Sequence, residues 1–217
     1  MFKLYLLCLA FTVALASQGV ALGSGSLTRS VYTCLAQQNI SLVVLGIWDQ
    51  AGNVPKDFLL NYIYAKDSGI AKFDTMVIIN DTFAATDICN GVAHALPASF
   101  KGNVWLNVQN GQGFWSQDID DRISYLETVA KTCGQHGLTV GVYSDAATWA
   151  TVMGSQGAGS DTLKALPVWY FNDNNVQDFS DFDYAGFGTW DKATMKQYST
   201  NQYTCNFYVA GYQYYEA

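Results

Sequence analysis

Apolar and polar positions follow two different periods along this chain. Runs rich in β-branched and aromatic residues at Leu42–Trp48, Thr75–Asn80, Val104–Gln109 and Leu138–Ser144 predict strands. Between them, Lys56–Lys66 and Asp118–Gln135 predict helices. In the second, Ile119, Ile123, Leu126, Val129 and Cys133 recur at spacings of three and four, and Gly134 stands where a stop is expected. After Gly154 the helical signal fades, and Leu166–Phe171, Met195–Tyr198 and Phe207–Tyr212 predict strands joined by irregular connections. Strand-helix alternation followed by bare strands predicts an α/β chain with a parallel sheet and crossover helices. No linker or repeat divides residues 17–217, which read as one domain.

The first residues change this picture. Lys3 precedes an apolar run from Leu4 that closes on Ala14-Leu15-Ala16, the small-x-small pattern of a secretory signal, so residues 1–16 are expected to be removed. That run is too short to span a bilayer. The expectation is a monomer that holds to no membrane after cleavage, outside the cell or in a lysosomal or phagosomal lumen. Cleavage also removes Cys8 and leaves Cys34, Cys89, Cys133 and Cys205, an even set that suggests two disulfides with three pairings open. Asn39-Ile40-Ser41 and Asn80-Asp81-Thr82 match the glycosylation acceptor pattern.

Charge and motif content exclude several classes. The formal net charge is −7 and no Lys/Arg cluster is present, so the electrostatic footprint of a nucleic-acid binder is absent. No cysteine has zinc-site spacing and no phosphate-cradling glycine loop occurs, so no metal or cofactor is expected. His94, in a helical stretch, and His136, beside Gly137, read as structural. Aromatic residues reach 15% against 13% charged, a balance that serves sugar-face packing and core alike.

The most informative segment is Val104-Trp105-Leu106-Asn107-Val108-Gln109. Residues two apart on a strand share a face, so Asn107 and Gln109 project together. With carboxylates in their place the run resembles the Asp-x-Glu strand of the family-25 glycoside hydrolases. His136-Gly137-Leu138-Thr139-Val140-Gly141-Val142-Tyr143-Ser144, Trp149, Met153-Gly154, Leu166-Pro167-Val168-Trp169-Tyr170 and Met195-Lys196-Gln197-Tyr198-Ser199 are similar to the secreted lysozymes of that family in order and spacing, from about Gly19 to Tyr215. The resemblance implies an irregular TIM-like (β/α)5(β)3 barrel. It also implies acids at the ends of strands one, four and eight, where this chain has Ala21 in Gly19-Val20-Ala21, Asn107 with Gln109, and Ala210 in Val209-Ala210. Closure of such a barrel brings its first and last elements together, which favours Cys34 with Cys205 and leaves Cys89 with Cys133.

Sites in these barrels lie at the C-terminal ends of the strands. The substrate-groove candidates are therefore Trp48, Tyr143, Trp169 and Tyr170, with Asp49, Asp145 and Asp173 as acids near the rim. Glycoside hydrolysis needs a carboxylic acid to protonate the departing oxygen and a second negative group to support the transition state. Amides keep the shape but supply neither charge nor proton. The leading expectation is a secreted, catalytically inactive lysozyme-like protein that binds bacterial cell-wall glycan or another N-acetylated polysaccharide, with a role in innate defence. One alternative is an active muramidase using a relocated acid such as Asp145 or Asp173. Another is a secreted scaffold that binds no sugar.

Overall fold

The computed structural model describes residues 17–215 apart from Ser24 and Gln117. The expected signal segment, residues 1–16, lies outside the described residues. Eight strands close a barrel: β1 (Ser17–Leu22), β2 (Ile40–Trp48), β3 (Lys72–Ile78), β4 (Asn103–Asn107), β5 (Thr139–Ser144), β6 (Val168–Phe171), β7 (Met195–Gln197) and β10 (Gly211–Tyr215). Five helices follow the first five strands: α1 (Arg29–Gln37), α2 (Phe58–Asp67), α3 (Ala85–Ala95), α4 (Ile119–Gln135) and α5 (Ala146–Met153). Two short helices, α6 (Asp161–Lys164) and α7 (Phe182–Ala185), sit in the later connections. Only β10 runs antiparallel to its barrel neighbours, β7 and β1. The expected α/β barrel is therefore the observed one.

Strand pleating sorts side chains into two cores. Ala21, Leu42, Val44, Trp105, Trp169, Met195 and Tyr215 fill the barrel, with Met76 and Tyr143 against them. Alternate residues such as Val43, Leu45, Leu106 and Val142 face outward and pack with Ile88 and Val92 of α3 and Leu126 and Val129 of α4. Trp105 needs room in the barrel, and the neighbouring strand β5 supplies Gly141 in register with it, where a Cβ would come within 2.5 Å of the indole. Cys89 and Cys133 tie α3 to α4 beneath this outer layer.

One predicted strand is two. Phe207–Tyr212 divides into β9 (Phe207–Val209), which pairs with β8 (Gln202–Thr204) as a hairpin outside the barrel, and β10. Ala210 is the break: its N–H donates to the carbonyl of Ala21 at 2.9 Å, which directs the chain into the barrel wall. The hairpin tip is joined to α1 by the disulfide between Cys34 and Cys205. Both pairings thus agree with those favoured by barrel closure.

Candidate functional site

Parallel strands deliver their C-terminal ends to one barrel mouth. Ala21 stands one residue before the end of β1, and its carbonyl receives the Ala210 amide, so these two positions meet there. Asn107 ends β4, is 1% exposed, and points inward as Trp105 does. Its Nδ2 lies 3.2 Å from the Met76 Sδ, a weak acceptor, and its Oδ1 accepts no hydrogen bond among the described residues. Gln109 lies two residues past β4 and is partly exposed; its carbonyl accepts from Trp115 Nε1 at 2.8 Å.

The neighbouring strands contribute further neutral groups. Tyr143 pairs in register with Asn107, and its hydroxyl donates to Gln197 Oε1 at 2.9 Å. Burial, and then the charge of Asp145, push that hydroxyl well above the usual tyrosine range, so it stays a neutral donor. The Tyr143 ring packs on Trp169 at 4.0 Å between centroids. Gln213 of β10 is wholly buried, donating to the Gly211 carbonyl at 3.0 Å. Gln197 and Gln213 were not anticipated from the sequence. Their alternation with Met195 and with Gly211 and Tyr215 carries the signal, but only barrel closure identifies that face as the interior.

The remaining candidates disperse. Trp169 is wholly buried inside the barrel, beside Tyr143 on the neighbouring strand. Trp48 faces outward under α3, edge-on to Phe83 at 6.1 Å, where Gly91 leaves space for its ring. Tyr170 also faces outward; its hydroxyl donates to Asp181 Oδ1 at 2.5 Å, and Asn172, Asn174 and Lys196 bind the same carboxylate. Thus only Tyr143 of the four aromatic candidates borders the mouth with exposed surface.

Each rim acid is engaged in a local bond. Asp145 caps α5, accepting from Thr148 N at 2.9 Å and Thr148 Oγ1 at 2.6 Å. Asp49 accepts from Ala51 N and Asn53 N, both at 2.9 Å, which closes its own loop. Asp173 is exposed and accepts from Thr200 Oγ1 at 2.7 Å. The acid whose carboxyl burial pushes above the usual range is Asp74, against the hydrogen bonds of Asn103 and Trp105. It lies toward the start of β3, at the opposite end of the barrel. Among the described residues no three His, Cys, Asp or Glu side chains group as metal ligands. Likewise, no helix among them is long and apolar enough to cross a membrane.

Beside the mouth, the loops after β2, β3 and β4 form an open depression of about 470 Å³ lined by Gln50, Ala51, Asn80, Gly111, Gln112 and Phe114. The Gln50 and Gln112 amides are groups that a neutral, hydroxyl-rich ligand can use.

A closed barrel with a single antiparallel strand, with Asn107 at the end of β4 and the Ala21 carbonyl bonded to the Ala210 amide at the mouth, defines a protein of the family-25 lysozyme fold. A family model described as "Lysozyme-like protein 1" matches residues 16–198, and the chain belongs to this lysozyme-like family. The probable GH family 25 lysozyme 3 of Dictyostelium discoideum is 30% identical over 208 residues, covering 93% of this chain and 42% of that protein. The probable GH family 25 lysozyme 5 of the same organism is 26% identical, covering 93% and 92%. In structure the chain is similar to a muramidase from Trichobolus zukalii, with a TM-score of 0.72 at 11% identity, over 93% of this chain and 94% of that one. The last likeness shows the fold alone.

Proposed function

We propose that this protein binds N-acetylated glycan, bacterial peptidoglycan above all, at the barrel mouth without cleaving it. The observation that carries the reading is the buried amide of Asn107, where hydrolysis needs a titratable acid. Asn107, Gln197 and Gln213 keep hydrogen-bonding capacity at the mouth yet offer neither proton nor charge. General acid catalysis alone is worth about 10² to 10⁴-fold, and the Asp145 and Asp173 carboxylates are occupied as a helix cap and a loop tie. The depression lined by Gln50 and Gln112 supports retention of a sugar-binding surface. The signal-like start and two disulfides support secretion, which places the protein where bacterial walls are met. A host-defence role follows from that placement.

The test incubates protein with peptidoglycan and measures released reducing ends, alongside calorimetric titration with N-acetylglucosamine oligomers. Binding without release is expected. Release above blank that disappears in Asp145→Asn or Asp173→Asn would establish an active muramidase instead. Neither binding nor release would leave the fold as a secreted scaffold.

A further inference from the structure

The two acceptor tripeptides meet opposite fates in this fold. Asn80 is 7% exposed; its Nδ2 donates to the Gln50 carbonyl at 3.3 Å, and its Oδ1 accepts from Thr82 N at 3.0 Å and Thr82 Oγ1 at 2.7 Å. A sugar on that nitrogen would displace the loop packed over it. Asn39 is exposed in the turn from α1 to β2, with the left-handed backbone (φ 60°) that asparagine tolerates. A sugar there displaces no buried side chain.

What lies beside Asn39 is unusual. Gln38, the residue before it, accepts from Thr204 Oγ1 at 2.7 Å, and Cys34 of α1 is bonded to Cys205. These contacts hold the β8–β9 hairpin against the end of α1. The hairpin turns through Cys205 and Asn206, both at positive φ as a two-residue turn requires. Its inner face buries Thr204 and Val209, while its outer face presents Tyr203 and Tyr208, paired in register. Tyr203 and Tyr208 are 62% and 71% exposed with ring centroids 5.0 Å apart, an aromatic pair turned mostly to solvent.

We propose that Asn39, and not Asn80, carries an N-linked glycan, and that its first N-acetylglucosamine residues lie on the Tyr203–Tyr208 pair. The inference rests on the passage through the secretory pathway proposed above. In the transfer, Asn39 Nδ2 bonds to the anomeric carbon of a lipid-pyrophosphate oligosaccharide donor, the bond from that carbon to pyrophosphate oxygen breaks, and one amide proton leaves to solvent. The attached chain starts one residue from Gln38, whose side chain reaches Thr204, the neighbour of Tyr203, so tethering raises the local sugar concentration around the hairpin edge and at the rings without any soluble ligand. The sugar's apolar C–H face covers the aromatic faces, and its hydroxyls stay in water.

The test secretes the chain from eukaryotic cells behind a heterologous leader, so that the natural leader does not decide the outcome. Glycopeptide mass spectrometry is expected to find the Asn39 peptide occupied and the Asn80 peptide bare. Nitration with tetranitromethane, followed residue by residue, is then compared before and after enzymatic removal of the glycan. Tyr203 and Tyr208 should react several-fold more slowly with the glycan present, while Tyr184, 72% exposed elsewhere, should not change. An unoccupied Asn39 or an occupied Asn80 overturns the site. Occupied Asn39 with equal nitration rates overturns the packing. Failure of the natural leader in a separate secretion assay would count against the secretory reading only.

Discussion

Restoring the acids tests both the mouth geometry and the loss of chemistry. In Asn107→Asp a carboxyl replaces an amide that is 1% exposed, has only the Met76 thioether beside it, and receives no N–H donor among the described residues. Desolvation without compensating donors raises a carboxyl pKa by about three units. At 1.36 kcal/mol per unit this lowers stability by about 4 kcal/mol once the group is forced to ionise, against a total of roughly 5–15 kcal/mol. The sign follows from linkage. A folded pKa above the unfolded value of about 3.9 leaves stability intact below pH 4 and removes it progressively up to the folded pKa, about pH 7, where the loss levels off. Urea denaturation of parent and variant at pH 4 and at pH 7 reads the difference directly. A stability gap that does not change between the two pH values would refute the reasoning, because it would mean that water reaches the carboxylate. The retained proton is also what a general acid needs. Asn107→Asp with Gln109→Glu should therefore release weak but measurable reducing ends from peptidoglycan, and adding Ala21→Asp and Ala210→Asp should increase that release as neighbouring charges hold the proton further.

Three other expectations concern what holds the barrel together. Lys196→Met strands the buried Asp181 carboxylate, which Lys196 Nζ approaches at 2.9–3.0 Å, and should cost about 3–5 kcal/mol in denaturant melts. Burial acts to raise the Asp181 carboxyl, but the bonds from Tyr170, Lys196 and Asn172 together hold it below the usual range. Its contribution is thus present above the unfolded pKa and lost as pH falls through the folded one, so the stability gap between parent and Lys196→Met should narrow on acidification as the stranded carboxyl takes up a proton; a gap that stays constant down to acid pH would contradict this. Replacing Cys34 and Cys205 by Ser, which frees a loop of 171 residues, should cost about 5 kcal/mol, and the Cys89–Cys133 pair, 44 apart, about 4 kcal/mol; equal losses well below these values would argue against loop entropy as the cause. Asp145→Ala should lower stability by about 1 kcal/mol through loss of the α5 cap while leaving glycan titration unchanged.

The sequence by itself determined the alternation of elements and the family. The three-and-four spacing of Ile123, Leu126, Val129 and Cys133 delimited α4 to within a residue, and the Val104–Gln109 run located β4, although the strand ends at Asn107 and leaves Gln109 two residues beyond it. Local periodicity suffices there because one face of the element is apolar and the other is not. It fails where both faces are buried. The run Leu42–Trp48 is apolar throughout, so nothing in it distinguishes Leu42 and Val44, inside the barrel, from Val43 and Leu45 beneath the helices. For the same reason the outward placement of Trp48 and Tyr170, and the inward placement of Gln197 and Gln213, became legible only in the closed barrel. The division of Phe207–Tyr212 was likewise invisible, because a single hydrogen bond from Ala210 to Ala21, residues far apart in the chain, sets it. Whether an amide or a carboxylate can act depends on burial and partners contributed by other strands; the sequence supplied Asn107, and the packing of β3 and β5 beside it decided its surroundings.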